Sequence, residues 1–249
     1  MLYKYATSDR VDILQNMKVR FTPFDQLNDP FECWFLVEPM PSEKERATED
    51  DYVAEWATVC VWLGNRIGQL GLLCLSRCCD NLLMWSHYAS DHRGIVLGFD
   101  EYHDFFRQTA SYIDPDYRTE EVIKLPGFGT LRDVRYASEV PRIEHGEQVP
   151  FHAFFTKGLD WEYEHEVRIF RSLRDAPTIT GDRLTRIHLF DIPAEVIRQV
   201  ILGARASRET EEKVISALAH EDLRHVRLDR ARLTRREFGL KFENVDLQN

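Results

Sequence analysis

The chain has 249 residues, of which 43% are hydrophobic and 12% aromatic, and its formal net charge at pH 7 is −10. This composition predicts a globular protein with a substantial core and argues against broad nonspecific binding of nucleic acid. No apolar run approaches the ~20 residues of a membrane span, the N-terminus has no signal-like apolar core, and five cysteines do not suggest a disulfide framework, so we expect a cytoplasmic protein without membrane contact.

The first third of the chain predicts short strands alternating with helices. LYKYA indicates an opening strand, SDRVDILQN a helix with Ser8 as N-cap, and KVRFT a second strand. The LNDPFE segment that follows is a turn, because Pro30 keeps the residue before it out of the helical region. Ser42 and Glu45 form a capping box, which predicts a long helix running towards Ile67.

The middle of the chain contains the predicted strand GLLCLS, a helix DNLLMWSHYA with Asp80 as N-cap, and the strand RGIVLGF. Loops and one strand, LRDVRYA, are predicted between residues 100 and 150, and a helical PFHAFFTKG leads into WEYEHEVRIF. The last third alternates the strands RIHLF and RQVILG, a helix from Ser207 to about His220, and the strand HVRLD.

These elements predict a single α+β domain over residues 1–249, with mixed or antiparallel sheets and flanking helices. Residues 38–67 would be a helical insertion and residues 205–249 a C-terminal extension.

The segment WEYEHEVRIF, residues 161–170, contains the most suggestive pair of side chains. Strand alternation would put Glu164 and Glu166 on one face, two residues apart. Neighbouring carboxylates repel each other, so the pair favours a site for a cation or a polarised ligand. The alternative is an exposed edge face, where Arg168 and Arg171 would lie beside the glutamates.

Other candidate residues border the predicted strands. Ser76 ends a buried strand, and His87 and Tyr88 follow it on a helix where aromatic residues serve either the core or a planar ligand. Lys4 and Arg20 on the first two strands could bind phosphate or could be surface cations. Asn28 and Asp29 form either a structural turn or part of a binding site.

The sequence predicts no metal site and no known nucleotide-binding loop. Cys74, Cys78 and Cys79 cluster without a clear second pair of ligands, which favours buried free thiols. The segment WSHYASDHRG does not have HExxH spacing. The chain also lacks a GxSxG elbow, a GxGxxG fingerprint and a GxxxxGK[ST] loop.

The C-terminal segment from Arg224 to Lys241 is locally basic, although the chain as a whole is acidic. This segment could contact a polyanion, or it could be an ordinary solvated surface. Its cations are Arg224, Arg227, Arg230, Arg232, Arg235, Arg236 and Lys241.

Four separated segments resemble the bacterial domain-of-unknown-function family 2971. They are LYKY, ILQNMKVRFTPFDQLNDPFE, LCLSRCCDNLLMWSHYASDHRGIVLGFD and TKGLDWEYEHEVRI, in that order. The resemblance extends to about residue 205 and implies no function.

A second resemblance is to the ADP-ribosyltransferase superfamily, in which a first strand bearing His or Arg, a Ser-bearing strand and a late ExE strand follow one another. The segments similar to these pieces are LYKY, then ILQNMKVRFT for the helix after the first strand, LCLSR with WSHYA, and YEHEVRIF. The resemblance matches Ser76 to the serine, and Glu164 and Glu166 to ExE. It matches Tyr88 or His87 to the tyrosine-bearing helix of the poly-ADP-ribosylating branch, and an aromatic residue such as Tyr88 would stack on the nicotinamide. Lys4 stands in place of His or Arg, and Arg20 could compensate for that departure.

This second resemblance implies an ADP-ribosyltransferase-like fold and NAD-dependent ADP-ribosyl transfer, or NAD hydrolysis, with NAD as a substrate. Glu166 would stabilise positive charge on the ribose, and Glu164 would activate or position the acceptor. Ser76 would orient Glu166 or the ribose. Lys4, Arg20, His87, Tyr88, Asn28 and Asp29 would bind the cofactor. The acceptor, protein or nucleic acid, is left open. The alternatives are a noncatalytic nucleotide-sensing or protein-interaction module with the same fold, and a metal-independent enzyme that processes phosphate or nucleic acid.

Overall fold

The computed structural model describes residues 1–32, 34–38, 70–107, 112–113, 122–123, 129–144, 151–182 and 185–246. The helix predicted from Ser42 towards Ile67 lies outside these residues. The described residues form a large mixed sheet with few helices, which confirms the predicted α+β class.

Three α-helices and seventeen strands lie in the described part of the chain. The helices are α1 (Asp12–Asn16), α2 (Leu82–Tyr88) and α3 (Arg208–Leu218). The strands of the first half are β1 (Leu2–Ala6), β2 (Lys18–Pro23), β3 (Leu36–Glu38), β4 (Leu70–Ser76), β5 (Ile95–Phe99), β6 (Tyr112–Ile113) and β7 (Val122–Ile123). The remaining strands are β8 (Arg132–Asp133), β9 (Arg135–Ala137), β10 (Arg142–Glu144), β11 (Thr156–Gly158), β12 (Glu166–Ser172), β13 (Thr178–Thr180), β14 (Ile187–Asp191), β15 (Ile197–Leu202), β16 (Arg227–Leu233) and β17 (Leu240–Asn244).

The main sheet has eleven strands, nine of which follow the order β13-β14-β2-β4-β1-β5-β15-β16-β17. The other two are β12, which pairs with β4, and β8, which pairs with β12. The pairing of β15 with β16 is parallel, while the other pairings within this sheet are antiparallel. The chain beyond residue 205 contributes α3 and adds β16 and β17 to one end of the sheet.

Strand β4 is the branch point of the sheet. β12 pairs with it along its whole length, from Leu70 to Ser76. Its other edge is shared, because β1 pairs with it at Ser76 and β2 pairs with it at Leu72 and Gly71. β1 and β2 therefore diverge beside the middle of β4, where backbone groups are left without a neighbouring strand.

Apolar strands build the core. β5 is buried along its whole length, as its continuous apolar sequence predicts, and β4 and β12 contribute Leu73, Leu75, Val167 and Ile169 to the same core. A second cluster forms around Trp85 of α2, whose ring is fully buried and contacts Tyr5 edge to face at 5.5 Å. Helix α2 is thereby packed on the sheet through Met84 and Trp85, while Leu83 and His87 are exposed.

The strand predicted over residues 161–170 is wrong in its first half. Residues Leu159–Glu164 form a 3-10 helix, which ends at His165 with a left-handed backbone (φ 44°), and β12 begins only at Glu166. Glu164 and Glu166 therefore do not share a strand face. The alternative of an exposed edge face is also wrong, since both glutamates are buried.

Smaller differences from the predicted elements lie at segment ends. Ser8 begins a 3-10 helix whose N-cap is Thr7, and the α-helix starts at Asp12. Asn81 rather than Asp80 caps α2, because its side chain accepts the N–H groups of Leu83 and Met84. LRDVRYA divides into β8 and β9, and PFHAFFTKG is a 3-10 helix followed by β11.

Candidate functional site

A small pocket of about 80 Å³ lies where β1, β4 and the start of β12 meet α2. We call it the acidic pocket, because three of its lining side chains are glutamates. The lining residues used below are Lys4, Asn28, Glu32, Ser76, Tyr88, Lys157, Glu164 and Glu166.

Strand register brings Ser76 to the centre of this region. Ser76 at the end of β4 lies opposite Tyr3 on β1 and opposite Glu166 on β12. Its hydroxyl donates a hydrogen bond of 2.6 Å to the backbone carbonyl of Glu164 and accepts the N–H of Cys78 at 3.1 Å. Ser76 thus holds the turn that presents Glu164, whereas the sequence predicted contact with Glu166 or the ribose.

Glu164 is held from both sides of the pocket. Tyr88 donates a hydrogen bond of 2.5 Å to its Oε1, and Asn28 in turn donates one of 2.8 Å to the Tyr88 hydroxyl. Lys157 Nζ lies 2.6 Å from its Oε2. Burial raises the pKa of Glu164, and the opposing effects of Lys157 and Tyr88 do not fully offset it.

Glu166 is paired with an arginine on its own strand. Arg168 donates to Glu166 Oε1 at 2.7 Å and to Oε2 at 2.8 Å, and Lys157 Nζ lies 3.5 Å from Oε2. Burial alone would raise the pKa of Glu166, but Arg168 and Lys157 outweigh it and lower the pKa to about 2. Its backbone N–H donates to the Tyr136 hydroxyl at 2.7 Å.

Glu32 completes the charged cluster, which spans distant parts of the chain. Its Oε1 accepts from Arg168 at 2.7 Å and lies 3.2 Å from Lys157 Nζ. The three carboxylates outweigh the burial of Lys157 and raise its pKa. The amine also lies 4.5 Å from the centre of the Trp161 ring, a distance suited to a cation–π contact. We call Glu32, Lys157, Glu164, Glu166 and Arg168 the charged cluster.

A second concavity, of about 230 Å³, opens between the diverging strands β1 and β2. We call it the cationic groove, since Lys4, Arg10 and Arg20 line it. Lys4 Nζ donates a hydrogen bond of 3.1 Å to the Cys74 carbonyl, in the part of β4 that neither strand covers. Lys4, Tyr5 and Tyr88 line both the groove and the acidic pocket, so the two concavities adjoin.

Arg20 has an incompletely satisfied guanidinium. It donates to the Gln26 side chain, but its buried Nε has no hydrogen-bond partner among the described residues. Burial, together with the nearby charge of Arg10, lowers the pKa of Arg20. An anion bound in the groove would reduce the repulsion between these two cations.

Two predicted site residues line neither concavity. His87 is exposed, and its Nδ1 lies 3.1 Å from the Tyr163 hydroxyl. Asp29 is buried and accepts the N–H of Phe31 at 2.9 Å, as expected for a turn residue. The structure thus brings together Lys4, Asn28, Ser76, Tyr88, Glu164 and Glu166, with Arg20 in the adjoining groove.

Sequence reasoning missed Glu32 and Lys157, and it mentioned Arg168 only as a neighbour on an exposed face. Glu32 and Lys157 do occur inside LNDPFE and TKGLDW, the segments that carry the family resemblance. The available signal was that these charged residues lie inside apolar and turn segments. Their contact could not be read from the sequence, because Arg168 and Glu32 are 136 positions apart.

Other predicted features have simpler surroundings. Cys74, Cys78 and Cys79 are free thiols, but they are partly exposed rather than buried. Among the described residues, no group of three His, Cys, Asp or Glu side chains is arranged to hold a metal ion. The same residues contain no helix of the length and apolarity needed to cross a membrane.

The basic C-terminal segment is largely paired with acidic residues. Arg227 contacts Asp229, Arg230 contacts Glu211, and Arg232 and Lys241 both contact Glu243. A polyanion would have to compete with these carboxylates, so the contact through this segment stays a prediction.

Comparison with known proteins gives one match. No curated protein and no solved structure shows a significant similarity to the chain. Residues 84–169, however, match the model of the family described as "Protein of unknown function (DUF2971)". The matched segment includes Tyr88, Lys157, Glu164 and Glu166, which all line the acidic pocket. The match supports the resemblance to this family of unknown function.

Proposed function

We propose that the chain binds NAD across the acidic pocket and the cationic groove, and that it transfers ADP-ribose to an acceptor or to water. The observation that carries the proposal is that an anionic and a cationic concavity share the lining residues Lys4, Tyr5 and Tyr88. NAD has the same polarity, with a cationic nicotinamide ring at one end and a pyrophosphate beyond the adjoining ribose. We propose an ADP-ribosyltransferase-like fold from the order of the segments that resemble this superfamily.

The dimensions support a division of the ligand between the two concavities. The acidic pocket, at about 80 Å³, suits a single ring and part of a ribose better than a whole dinucleotide. The groove, at about 230 Å³, offers Arg10 and Arg20 to the pyrophosphate, and the unpartnered Nε of Arg20 is a donor for a phosphate oxygen.

The two glutamates differ in a way that suits different roles. Glu166, with a pKa lowered to about 2, stays ionised and can stabilise positive charge that develops on the ribose as the bond to nicotinamide breaks. The bonding electron pair leaves with the nicotinamide nitrogen. Glu164, with its pKa raised, is better suited to accept the proton that the attacking hydroxyl or water loses.

The experiment is incubation with NAD labelled in its adenylate half, with nicotinamide release and label retained on macromolecules both measured. We expect release by the wild-type protein, and a loss of about 10²–10⁴-fold in the Glu164→Gln variant, the size expected for removing a general base. Glu209→Gln, a substitution of an exposed glutamate on α3, is the control. NAD binding without release by the wild-type protein would contradict the catalytic proposal.

A noncatalytic nucleotide-sensing module is the second candidate. It is favoured by the pairing of Glu166 with Arg168 through both carboxylate oxygens, which compensates the charge that catalysis would use. Nicotinamide release separates the two candidates. A sensing module would bind NAD and be stabilised by it, but it would release no nicotinamide.

A further inference from the structure

Glu32 has one carboxylate oxygen that nothing in the described structure satisfies. Its side chain is 3% exposed, and its Oε1 is occupied by Arg168 and Lys157. Its Oε2 is buried without a hydrogen-bond partner, and the residue lines the acidic pocket. A buried, unpartnered carboxylate oxygen destabilises a fold, so its position beside a pocket indicates that a ligand group completes it.

The charged cluster also carries an excess of negative charge. The carboxylates of Glu32, Glu164 and Glu166 are paired with only two cations, Lys157 and Arg168. Lys4 lines the same pocket, but it forms no ion pair with these three carboxylates, and its amine is directed to the Cys74 carbonyl. One further positive charge would balance the cluster.

The uncharged walls of the pocket suit a flat ligand. Tyr3, Tyr5 and Tyr88 contribute aromatic side chains, and Leu27 and Met84 contribute apolar ones. Aromatic faces attract cations, and the thioether of methionine adapts to a planar ring.

We infer that the acidic pocket is a binding site for a planar monocation, and that the carboxylate of Glu32, which lines the pocket with one oxygen unpartnered, is the group that selects it. The inference deepens the proposed function, on which it rests for the identity of the natural ligand. That ligand would be the pyridinium ring of oxidised NAD, and the neutral ring of the reduced cofactor would be disfavoured. Glu32 is then the residue that selects the charge of the ligand.

The test compares two rings of nearly the same shape, the cation 1-methylnicotinamide and neutral nicotinamide, in binding titrations monitored by NMR or calorimetry. We expect the wild-type protein to bind the cation at least about tenfold more tightly, which corresponds to about 1.4 kcal/mol. The comparison needs no variant, so it does not depend on how well a substituted protein folds. Equal affinity for the two rings, or no binding of either, would overturn the inference.

The Glu32→Gln variant assigns the preference to this residue. Its amide oxygen can still accept from Arg168 and Lys157, whereas the NH₂ group replaces the free oxygen. We expect the preference for the cation to disappear, with Glu209→Gln as a matched control that retains it. A preference that persists in Glu32→Gln would remove Glu32 from this role.

The same measurements separate this inference from the proposed function. If the cation preference is present and depends on Glu32, while NAD releases no nicotinamide, the catalytic proposal fails and the binding site stands. If nicotinamide is released but the two rings bind equally, the catalytic proposal stands and the inference fails.

Discussion

Lys157 Nζ lies 2.6 Å from Glu164 Oε2, and the two side chains are 3% and 5% exposed. A buried ion pair of this kind is not by itself evidence of stability, because removing both charges from water costs about as much as their attraction returns. Removal of one partner is different, since the other charge is left buried and uncompensated. The charged cluster therefore predicts large and non-additive effects of single substitutions.

Lys157→Met should destabilise the protein by about 3–5 kcal/mol, the range for breaking a buried ion pair. The substitution leaves Glu164 with no cationic partner among its observed contacts, and Glu32 and Glu166 with Arg168 alone. Urea denaturation measures the change in the free energy of unfolding. Lys213→Met, which breaks an exposed pair with Glu209 on α3, should leave that free energy nearly unchanged.

The double variant Lys157→Met with Glu164→Gln should recover part of the lost stability. The second substitution removes one of the carboxylates left unpaired by the first, so the two changes should not add. Strict additivity in the double-mutant cycle would show that the two side chains do not interact energetically.

The stability of the protein should fall as the pH drops from about 4.5 towards 2. The pKa of Glu166 is lowered from 4.5 to about 2 in the folded protein, so in this range the unfolded chain binds more protons and is favoured by acid. Denaturation midpoints measured across this range test whether the stability falls with decreasing pH. Glu166→Gln should make the stability less dependent on pH in this range. It should also lower the stability at neutral pH, because Arg168 loses one of its two carboxylate partners. An unchanged pH dependence in Glu166→Gln would assign the acid sensitivity to other carboxylates.

Tyr88→Phe should shift the pH dependence of nicotinamide release. The Tyr88 hydroxyl lowers the pKa of Glu164 by donating a hydrogen bond to it, so its loss should raise that pKa further. If ionised Glu164 accepts the proton of the acceptor, the acidic limb of the rate profile should move to higher pH. Tyr102→Phe, at a residue 71% exposed, is the control. If the acidic limb of the rate profile stays at the same pH in Tyr88→Phe, Glu164 does not accept the proton.

Arg20→Ala should weaken NAD binding by about 10–100-fold, which corresponds to the loss of a charge-assisted hydrogen bond of about 1.5–3 kcal/mol. Thermal denaturation with and without NAD measures the effect, since a ligand at a hundred times its dissociation constant stabilises the folded state by about 2.7 kcal/mol. Arg208→Ala removes an exposed guanidinium on α3 and should leave the NAD-dependent shift intact. If Arg20→Ala retains the full shift, the pyrophosphate does not bind in the cationic groove.

Most strands of the main sheet could be predicted from the sequence. The apolar runs of β4 and β5 are local patterns, and each produced a strand close to its expected bounds. The strands predicted at LYKYA and KVRFT also have close to their expected bounds, as β1 and β2. The C-terminal helix, predicted from Ser207 to about His220, runs from Arg208 to Leu218 with Ser207 as its N-cap. The local pattern gave a wrong prediction just before β12. Residues predicted as a strand form a 3-10 helix, Leu159–Glu164, and His165 ends that helix with a left-handed backbone conformation.

The candidate site was only partly predictable. Ser76, Tyr88, Glu164 and Glu166 were identified from residue type and order, and they line one pocket. His87 was considered together with Tyr88, but neighbouring positions on a helix face different directions, and only Tyr88 faces the pocket. The catalytic and cofactor-binding roles of these residues stay predictions.

The sequence by itself determined the α+β class, most strands, the C-terminal helix and the acidic character of the segment around Glu164, because these follow from periodicity, capping and residue type over short distances. Only the tertiary structure decided that β1 and β2 diverge on β4, that a cationic groove opens between them, and that Glu32 meets Arg168 and Lys157. Those contacts join residues far apart in the chain. Each buried charge needs an oppositely charged partner nearby in space, and a local sequence pattern does not show which distant residue will be that partner.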